Sequence, residues 1–429
     1  MRIKLISFLA LIALLFSITS VGILNATGVD IVTYYGWQRR EMCSDQDFTF
    51  AFVGDIQTLT YYNDYKKGTN YVDTLFSWIA ENAKDQKIQH VFTLGDLTDR
   101  SAVHDPMLSY GAVDPVGNDA TYDAEYEIVK SAISKLDGIV PYSIVRGNHD
   151  GYQIDEFFNY EEYTKNFDGF YREDSGVYKN SITNSYRLVE IQGIKFIFIT
   201  LDFNPSREVI YWMDDLLTTY SDHNAIITTH SYTHVVDGNL TIANITNITD
   251  CIVKTQYKGA AANWIWENCL KKHSNVIMTV SGHVGVDTPQ YHTTLGDNGN
   301  TVTNILVDPQ FYDLNIEPTG AILLMHFYDG GKTVKTEYFS TSANAYKKDG
   351  IYTWNVELMV ADAPDTDIET TVATIESTDA TSTVSETSQE KNGCKSSVSL
   401  ISVALIPTFI AVSAASVGKK KDNQIAKRS

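Results

Sequence analysis

Five apolar runs in this chain each end on an acidic, amide or imidazole side chain. Phe52-Val53-Gly54 leads into Asp55-Ile56-Gln57, and Phe92-Thr93-Leu94 leads into Gly95-Asp96-Leu97-Thr98-Asp99. Ser143-Ile144-Val145 leads into Arg146-Gly147-Asn148-His149-Asp150. Ile226-Ile227-Thr228-Thr229 ends on His230, and Ile277-Met278-Thr279-Val280 runs into Ser281-Gly282-His283. Short runs rich in β-branched and aromatic residues read as buried strands. Between the first three lie helical periodicities, Leu75, Phe76, Ile79 and Ala83 within Val72–Ala83, then Tyr126, Val129, Ile133 and Leu136 within Tyr122–Leu136. Such alternation predicts βαβ units and a sheet covered by helices. In sheets of this kind ligands gather beyond the carboxyl ends of the strands, so the five polar termini are expected to line one crevice.

The second half carries more strand. Tyr186–Ile191 and Lys195–Leu201 read as a pair turned at Gln192-Gly193, followed by an amphipathic helix over Arg207–Tyr220. A strand over Ala225–Thr229, a helix over Ala260–Lys271 and a strand over Val276–Val280 come next. Val302–Val307, Ala321–Phe327 and Val334–Phe339 read as further strands. The fold class is α/β: two mixed β-sheets face to face with helices outside, a four-layer α-β-β-α sandwich. Removing the two ends leaves roughly 300 residues, enough for one large domain or two small ones with a sizeable core.

Carboxylates, an amide oxygen and imidazoles together suit Zn, Fe, Mn or Ni better than Ca alone. An Asp shared between two ions would hold them roughly 3.5–4 Å apart, and bound water would be activated as a hydroxide nucleophile. Taken singly, each residue has a plainer explanation. Asp55 suits a helix cap, the Gly95-Asp96 and Gly147-Asn148 pairs suit turns, and His230 suits a core histidine. Five such residues in one order after five strands are not explained that way.

The order Asp-x-Gln, Gly-Asp-x-x-Asp, Gly-Asn-His-Asp, a lone His and Gly-His resembles the calcineurin-like metallophosphoesterase superfamily over about residues 48 to 343. The resemblance implies a metal-dependent hydrolase of phosphomonoesters or phosphodiesters, acting on a small phosphorylated substrate with two divalent transition metal ions (Mn, Fe or Zn). By the same likeness Asp96 bridges the ions, and Asn148, His230 and His283 complete the second position. Asp55 and Gln57 belong to the first, His149 protonates the leaving group or steadies the transferring phosphoryl, and Asp150 orients His149. Arg146 stands beside this block as a candidate phosphate contact. Two departures weaken the first position. Gln57 stands where the family has His, and Gly285 stands where it has the second His of Gly-His-x-His. Asp287 is a candidate to compensate. The runs around Gly282–Asp287 and Asp308-Pro309-Gln310 resemble a subgroup of bacterial surface phosphoesterases that also carries Asp-x-Gln. The alternative reading is a surface binding protein on the same scaffold.

The ends of the chain speak to location. Residues 1–28 read as a signal peptide: Arg2 and Lys4, then the uncharged Leu5–Phe16, then small residues. An uncleaved anchor is the other reading of that segment. The catalytic domain is expected over 44–343, with a C-terminal extension over 344–360. Residues 361–397 form a stalk, because Ala361–Glu390 holds twelve Ser or Thr, eight Asp or Glu and no Lys or Arg, too little apolar surface to fold. Residues 398–417 are uncharged and long enough to span a bilayer. Lys419, Lys420 and Lys421 in the tail 418–429 put that tail in the cytoplasm and the body outside. Tyr61, Tyr62, Tyr65 and Tyr110 are expected in loops near the crevice. Cys251 and Cys269 could pair, and Asn25, Asn239, Asn244 and Asn247 each open an Asn-x-Ser/Thr triplet. The net charge of −20 argues against general nucleic-acid binding, which draws most of its affinity from cationic contacts with phosphate.

Overall fold

Period-two alternation along the strands builds the layers. The computed structural model describes residues 36–99, 119–150, 158, 175–243, 260–310 and 319–359. The chain divides into two compact units, Met1–Thr366 and Asp367–Ser429, and the described residues all lie in the first. In chain order it runs β1 (Trp37–Gln38), β2 (Phe48–Val53), a π-helical segment (Leu59–Tyr65), α1 (Tyr71–Asn82), β3 (Ile88–Thr93), α2 (Asp119–Ile133) and β4 (Tyr142–Ser143). Then come β5 (Ser175–Tyr178), β6 (Ser181–Ile191), β7 (Ile194–Thr200), α3 (Arg207–Thr219), β8 (Asn224–Thr228), β9 (Thr233–Val236), β10 (Asn239–Ile242) and α4 (Ala262–Asn268). The last part is β11 (Val276–Ser281), β12 (Gln290–Leu295), β13 (Thr301–Leu306), β14 (Ala321–Tyr328), β15 (Thr333–Ser340), β16 (Ala345–Lys347) and β17 (Tyr352–Asn355).

One sheet has the order β1-β16-β15-β14-β2-β3-β4, with β17 also paired to β15. The other has the order β12-β13-β11-β8-β7-β6-β5. β2, β3 and β4 are parallel, as are β7, β8, β11 and β13, and antiparallel strands flank both sets. On β2, Phe48, Phe50 and Phe52 face Phe196 and Phe198 of β7 and Met278 of β11, filling the space between the sheets. Ala51 and Val53, on the opposite face, pack with Val72, Leu75, Phe76 and Ile79 of α1. Ile197 and Ile199 of β7 turn the other way, onto Val209 and Met213 of α3. The result is the expected mixed α/β sandwich of helices, sheet, sheet and helices.

The turn read at Gln192-Gly193 joins β6 to β7, with φ +53° and +80°, the doubly left-handed hairpin that suits a twisted ribbon. The helix expected to reach Lys271 stops at Asn268. Cys269 leaves helical geometry (φ −133°, ψ −78°), and only a 3-10 turn follows. Tyr61, Tyr62 and Tyr65 lie in the π-helical segment, a correction to the loop expectation. That segment is tied down by the Thr60 hydroxyl donating to Leu97 O at 2.8 Å. It is also held by Asp64, whose carboxylate accepts the Tyr71 and Val72 N–H groups at the start of α1. The stretch 344–360 supplies β16 and β17 to the first sheet. Residues 1–28 and 361–429, Tyr110, Cys251, Cys394, Asn25, Asn244 and Asn247 lie outside the described residues. Among those described, no helix is long and apolar enough to cross a membrane.

A buried charge cluster sits within the first sheet. The Glu337 carboxylate on β15 meets the Arg40 guanidinium, Lys335 Nζ at 2.7 Å and His326 Nε2 at 3.6 Å. Burial opposes its charge, but His326 and Lys335 outweigh that and hold the carboxyl below the usual carboxylate range. A depressed folded-state pKa stabilises the fold above the unfolded value of roughly 4.3, and that contribution is lost as pH falls below it. Glu337→Gln is therefore expected to lower stability by about 1–3 kcal/mol at neutral pH, because the partly exposed Arg40 and Lys335 lose a buried charged acceptor. Denaturant melts from pH 7 to pH 3 should show the variant losing less stability on acidification than the wild type.

Candidate metal centre

Glycines make the site possible. The step Gly95-Asp96 runs through left-handed backbone (φ +93° and +50°), which costs little at Gly and much at most other residues. A Cβ on Gly95 would lie 2.7 Å from both Gly147 N and His230 Nδ1. On Gly147 it would collide with the Asp96 carboxylate, and on Gly282 with that of Asp55. The loops after β2, β3, β4 and β11 thus approach one another at backbone distance. Asp55, Gln57, Asp96, Asn148 and His230 are all buried, with His283 half-buried at the rim.

The structure brings the six residues together as two unlike halves. In the nitrogen-bearing half, His230 Nε2 lies 3.0 Å from Asn148 Oδ1, 3.3 Å from Asp96 Oδ1 and 3.1 Å from His283 Nδ1. Its Nδ1 sits 2.8 Å from Leu94 O. In the neutral ring that carbonyl takes the Nδ1 hydrogen and leaves the Nε2 lone pair facing the site. One donor atom each from Asp96, His230 and His283 falls within 4.8 Å of the others. His283 Nε2 is buried without a hydrogen-bond partner, a nitrogen left for a ligand.

The other half is built from oxygens. Asp55 accepts the His283 N–H at 3.0 and 3.2 Å. Gln57 Nε2 donates to Asp96 Oδ2 and to Gln310 Oε1, each at 3.2 Å, while Gln57 Oε1 is buried and has no partner. Gln310 in turn donates to Asp308 from its N–H (3.0 Å) and from Nε2 (2.6 Å). Asp287 is exposed, so the carboxylate that joins Asp55 is Asp308. Sequence reasoning quoted Asp308-Pro309-Gln310 but gave it no place in the site. Its signal was a sixth strand, β13, ending on a carboxylate.

Charge is crowded here. Burial, then Asp308 and Asp96, push the Asp55 carboxyl well above its ordinary value. Burial raises Asp308 to about 6 and, with Asp96, raises Asp150 to about 6. Burial lowers His283 to about 3. Only Asp96 is held low, because the imidazoles of His230 and His149 overcome its burial. Buried carboxyls driven this far apart in pKa are the mark of a site that expects cations. The donor set and the two unpartnered buried atoms fit divalent metal ions.

Two expectations are corrected. Asp150 does not orient His149. Its carboxylate accepts Leu97 N–H (2.9 Å), Thr98 N–H (2.9 Å), the Thr98 hydroxyl (3.1 Å) and Gly147 N–H (2.8 Å). It clamps the two motif loops, and its oxygens are used up on them. The orienting partner is Asp99, whose carboxylate lies 3.2 Å and whose carbonyl lies 3.1 Å from His149 Nδ1. Burial opposes protonation of His149, but Asp96 and Asp99 raise it to about 10. Its side chain is 41% exposed, so the imidazole is open to solvent while Asp99 holds its Nδ1. Arg146 is the second correction. It is buried and bidentate to Asp202 at 2.7 and 3.1 Å, a structural fork rather than a phosphate contact.

The calcineurin-like phosphoesterase family model matches residues 48–287, more than half of the chain. The chain belongs to the calcineurin-like phosphoesterases. The family hydrolyses phosphoesters with the help of two metal ions, and Asp55, Gln57, Asp96, Asn148, His230 and His283 all lie within the matched residues. A relative in Bacillus subtilis (strain 168), the uncharacterized protein YvnB, is 24% identical over 322 residues, or 71% of this chain. The chain spans about a fifth of that relative's length, 20%. Among solved structures, a dimetal phosphatase from Danio rerio is similar over 73% of this chain and all of its own, with TM-score 0.43 and 13% identity. A purple acid phosphatase, PPD1, from yellow lupin (Lupinus luteus) seeds is similar over 72% of this chain and 54% of its own, with TM-score 0.42 and 12% identity.

The two corrected roles separate by experiment. Asp99→Asn is expected to lower turnover about 10-fold or more with metal content unchanged, because only the aim and charge of His149 suffer. Asp150→Asn is expected to weaken metal affinity by about 10–100-fold, as loss of an outer partner does, and to lower thermal stability. Metal analysis beside steady-state kinetics on both variants checks the split.

Proposed function

We propose that this chain is a membrane-tethered, extracytoplasmic phosphoesterase that hydrolyses small phosphomonoesters or phosphodiesters. The observation that carries the hydrolytic reading is His149, a part-exposed imidazole whose Nδ1 is held by the Asp99 carboxylate and carbonyl. Its own N–H donates to Asp96 Oδ1 at 2.8 Å. That bond comes from the backbone amide, so it anchors the residue that carries the imidazole beside the central carboxylate of the metal donor set. Bound ions would polarise the phosphoryl oxygens and supply the nucleophile at neutral pH. Asp96, Asn148, His230 and His283 would hold one ion, and Asp55, Gln57 and Asp96 the other. His149 then gives its proton to the departing alkoxide oxygen, and Asp99 steadies the ring as its charge changes. The placement outside the membrane rests on the leader-like residues 1–28, the acidic stalk and the uncharged 398–417 followed by lysines. The acidic balance of the chain favours a small substrate captured through metal over a polyanion captured by basic surface.

The purified full chain, supplied with Mn, Fe or Zn and a panel of aryl phosphates, is expected to turn over at least one substrate, and Asp96→Ala is expected to be inert. No turnover with any metal would sink the enzymatic reading and favour a binding protein. His149→Ala is expected to lower turnover by about 10²–10⁴-fold with metal content near normal. Loss of both ions in that variant would contradict its role as proton donor.

A further inference from the structure

We infer that Gln310 and Asp308 stand in for the two imidazoles absent at Gln57 and Gly285, making the first metal position an all-oxygen site that prefers a harder cation than the second. The inference rests on the metal-dependent reading above and assigns the selectivity of that site.

The geometry is specific. Two oxygens from different segments, Asp96 Oδ2 and Gln310 Oε1, converge at 3.2 Å on the Gln57 amide nitrogen. That nitrogen donates to two oxygens of the kind a cation would draw. The Gln57 amide oxygen is buried with no partner. Turning the amide over exchanges donor for acceptor with almost no movement of heavy atoms, and would place three oxygens around one point. Asp55, in the loop after β2, lies near enough to Asp96 to feel its charge. Asp308 lies near enough to Asp55 for its charge to be felt there, and brings a second carboxylate. Asp308 also fixes Gln310 by accepting both its backbone and its side-chain N–H. The Thr58 hydroxyl holds the Gln310 carbonyl at 2.8 Å, so the residue is tied at three points.

The chemistry follows from the donor atoms. Imidazole suits Zn and Fe, whereas carboxylate and carbonyl oxygens suit Mg and Mn. The second position keeps two imidazoles, from His230 and His283. The first has none and gathers the carboxylates of Asp55, Asp308 and the shared Asp96. Oxygen donors in place of imidazole change which ion the first position takes, rather than emptying it.

The test is competitive loading. The full chain, stripped with chelator and then exposed to equimolar Mn²⁺ and Zn²⁺, is expected to retain one of each per chain by elemental mass spectrometry. Asp308→Asn and Gln310→Ala are each expected to weaken Mn²⁺ about 10–100-fold and to keep Zn²⁺, which also reports that they are folded. His283→Ala is expected to do the reverse. Gly285→His, which offers an imidazole to the first position, is expected to move it toward Zn²⁺. Two equivalents of Zn²⁺ in the wild type, or wild-type Mn²⁺ affinity in both Asp308→Asn and Gln310→Ala, would overturn the inference while leaving an active enzyme standing. A chain that takes up no metal and hydrolyses nothing would overturn the functional reading and this inference together.

Discussion

The carboxylate of Asp150 holds the site in register. It is buried, and it accepts four hydrogen bonds from two chain segments, the loops after β3 and β4. Those loops carry Asp96, Asp99, Asn148 and His149. The clamp works only because Gly147 lets the backbone lie against Asp96 and Gly95 turns through left-handed conformation. A buried carboxylate satisfied by backbone donors is rigid, since moving either loop would strand a charge without partners. The geometry of the candidate site is therefore inherited from a buried carboxylate bound to the two loops.

Around that clamp the electrostatics divide the crevice. Carboxylates crowd toward Asp55 and Asp308, imidazoles gather at His230 and His283, and Asp96 lies between them. Burial, and after it crowding, raises the carboxyls that lack a cationic partner, and the imidazoles lower the one that has them. A centre with two unlike ends can place two different cations. It can also tolerate loss of imidazoles at one end, because charge there is supplied by other carboxylates. The same logic explains why the His149 imidazole is pushed toward protonation, with Asp96 and Asp99 both favouring its charge.

The parts that could be read from the sequence were those governed by local periodicity. β2, β7 and β11 alternate between two apolar surroundings or are apolar throughout, and α1 and α3 repeat their apolar positions at helical spacing, so their bounds fell close to those observed. β1, β5, β9, β12, β16 and β17 were not legible, because edge pairing is decided by a neighbouring strand rather than by the strand's own pattern. The π-helical segment at Leu59–Tyr65 was hidden for a similar reason. Thr60 and Asp64 hold it through contacts with Leu97 and the start of α1, and neither shows in its own composition.

The sequence by itself determined which residues arrive at the crevice. A strand that ends on Asp, Asn or His must deliver that side chain to the carboxyl edge of its sheet, whatever else the chain does. It could not determine which of them pair, because hydrogen-bond partners depend on distances between loops far apart in sequence. Tertiary structure assigned Asp150 to the backbone of two loops and Asp99 to His149. It tied Arg146 to Asp202 and left Asp287 in solvent. It also carried Asp308 and Gln310, over 250 residues from Gln57, into the half of the site that had looked two ligands short.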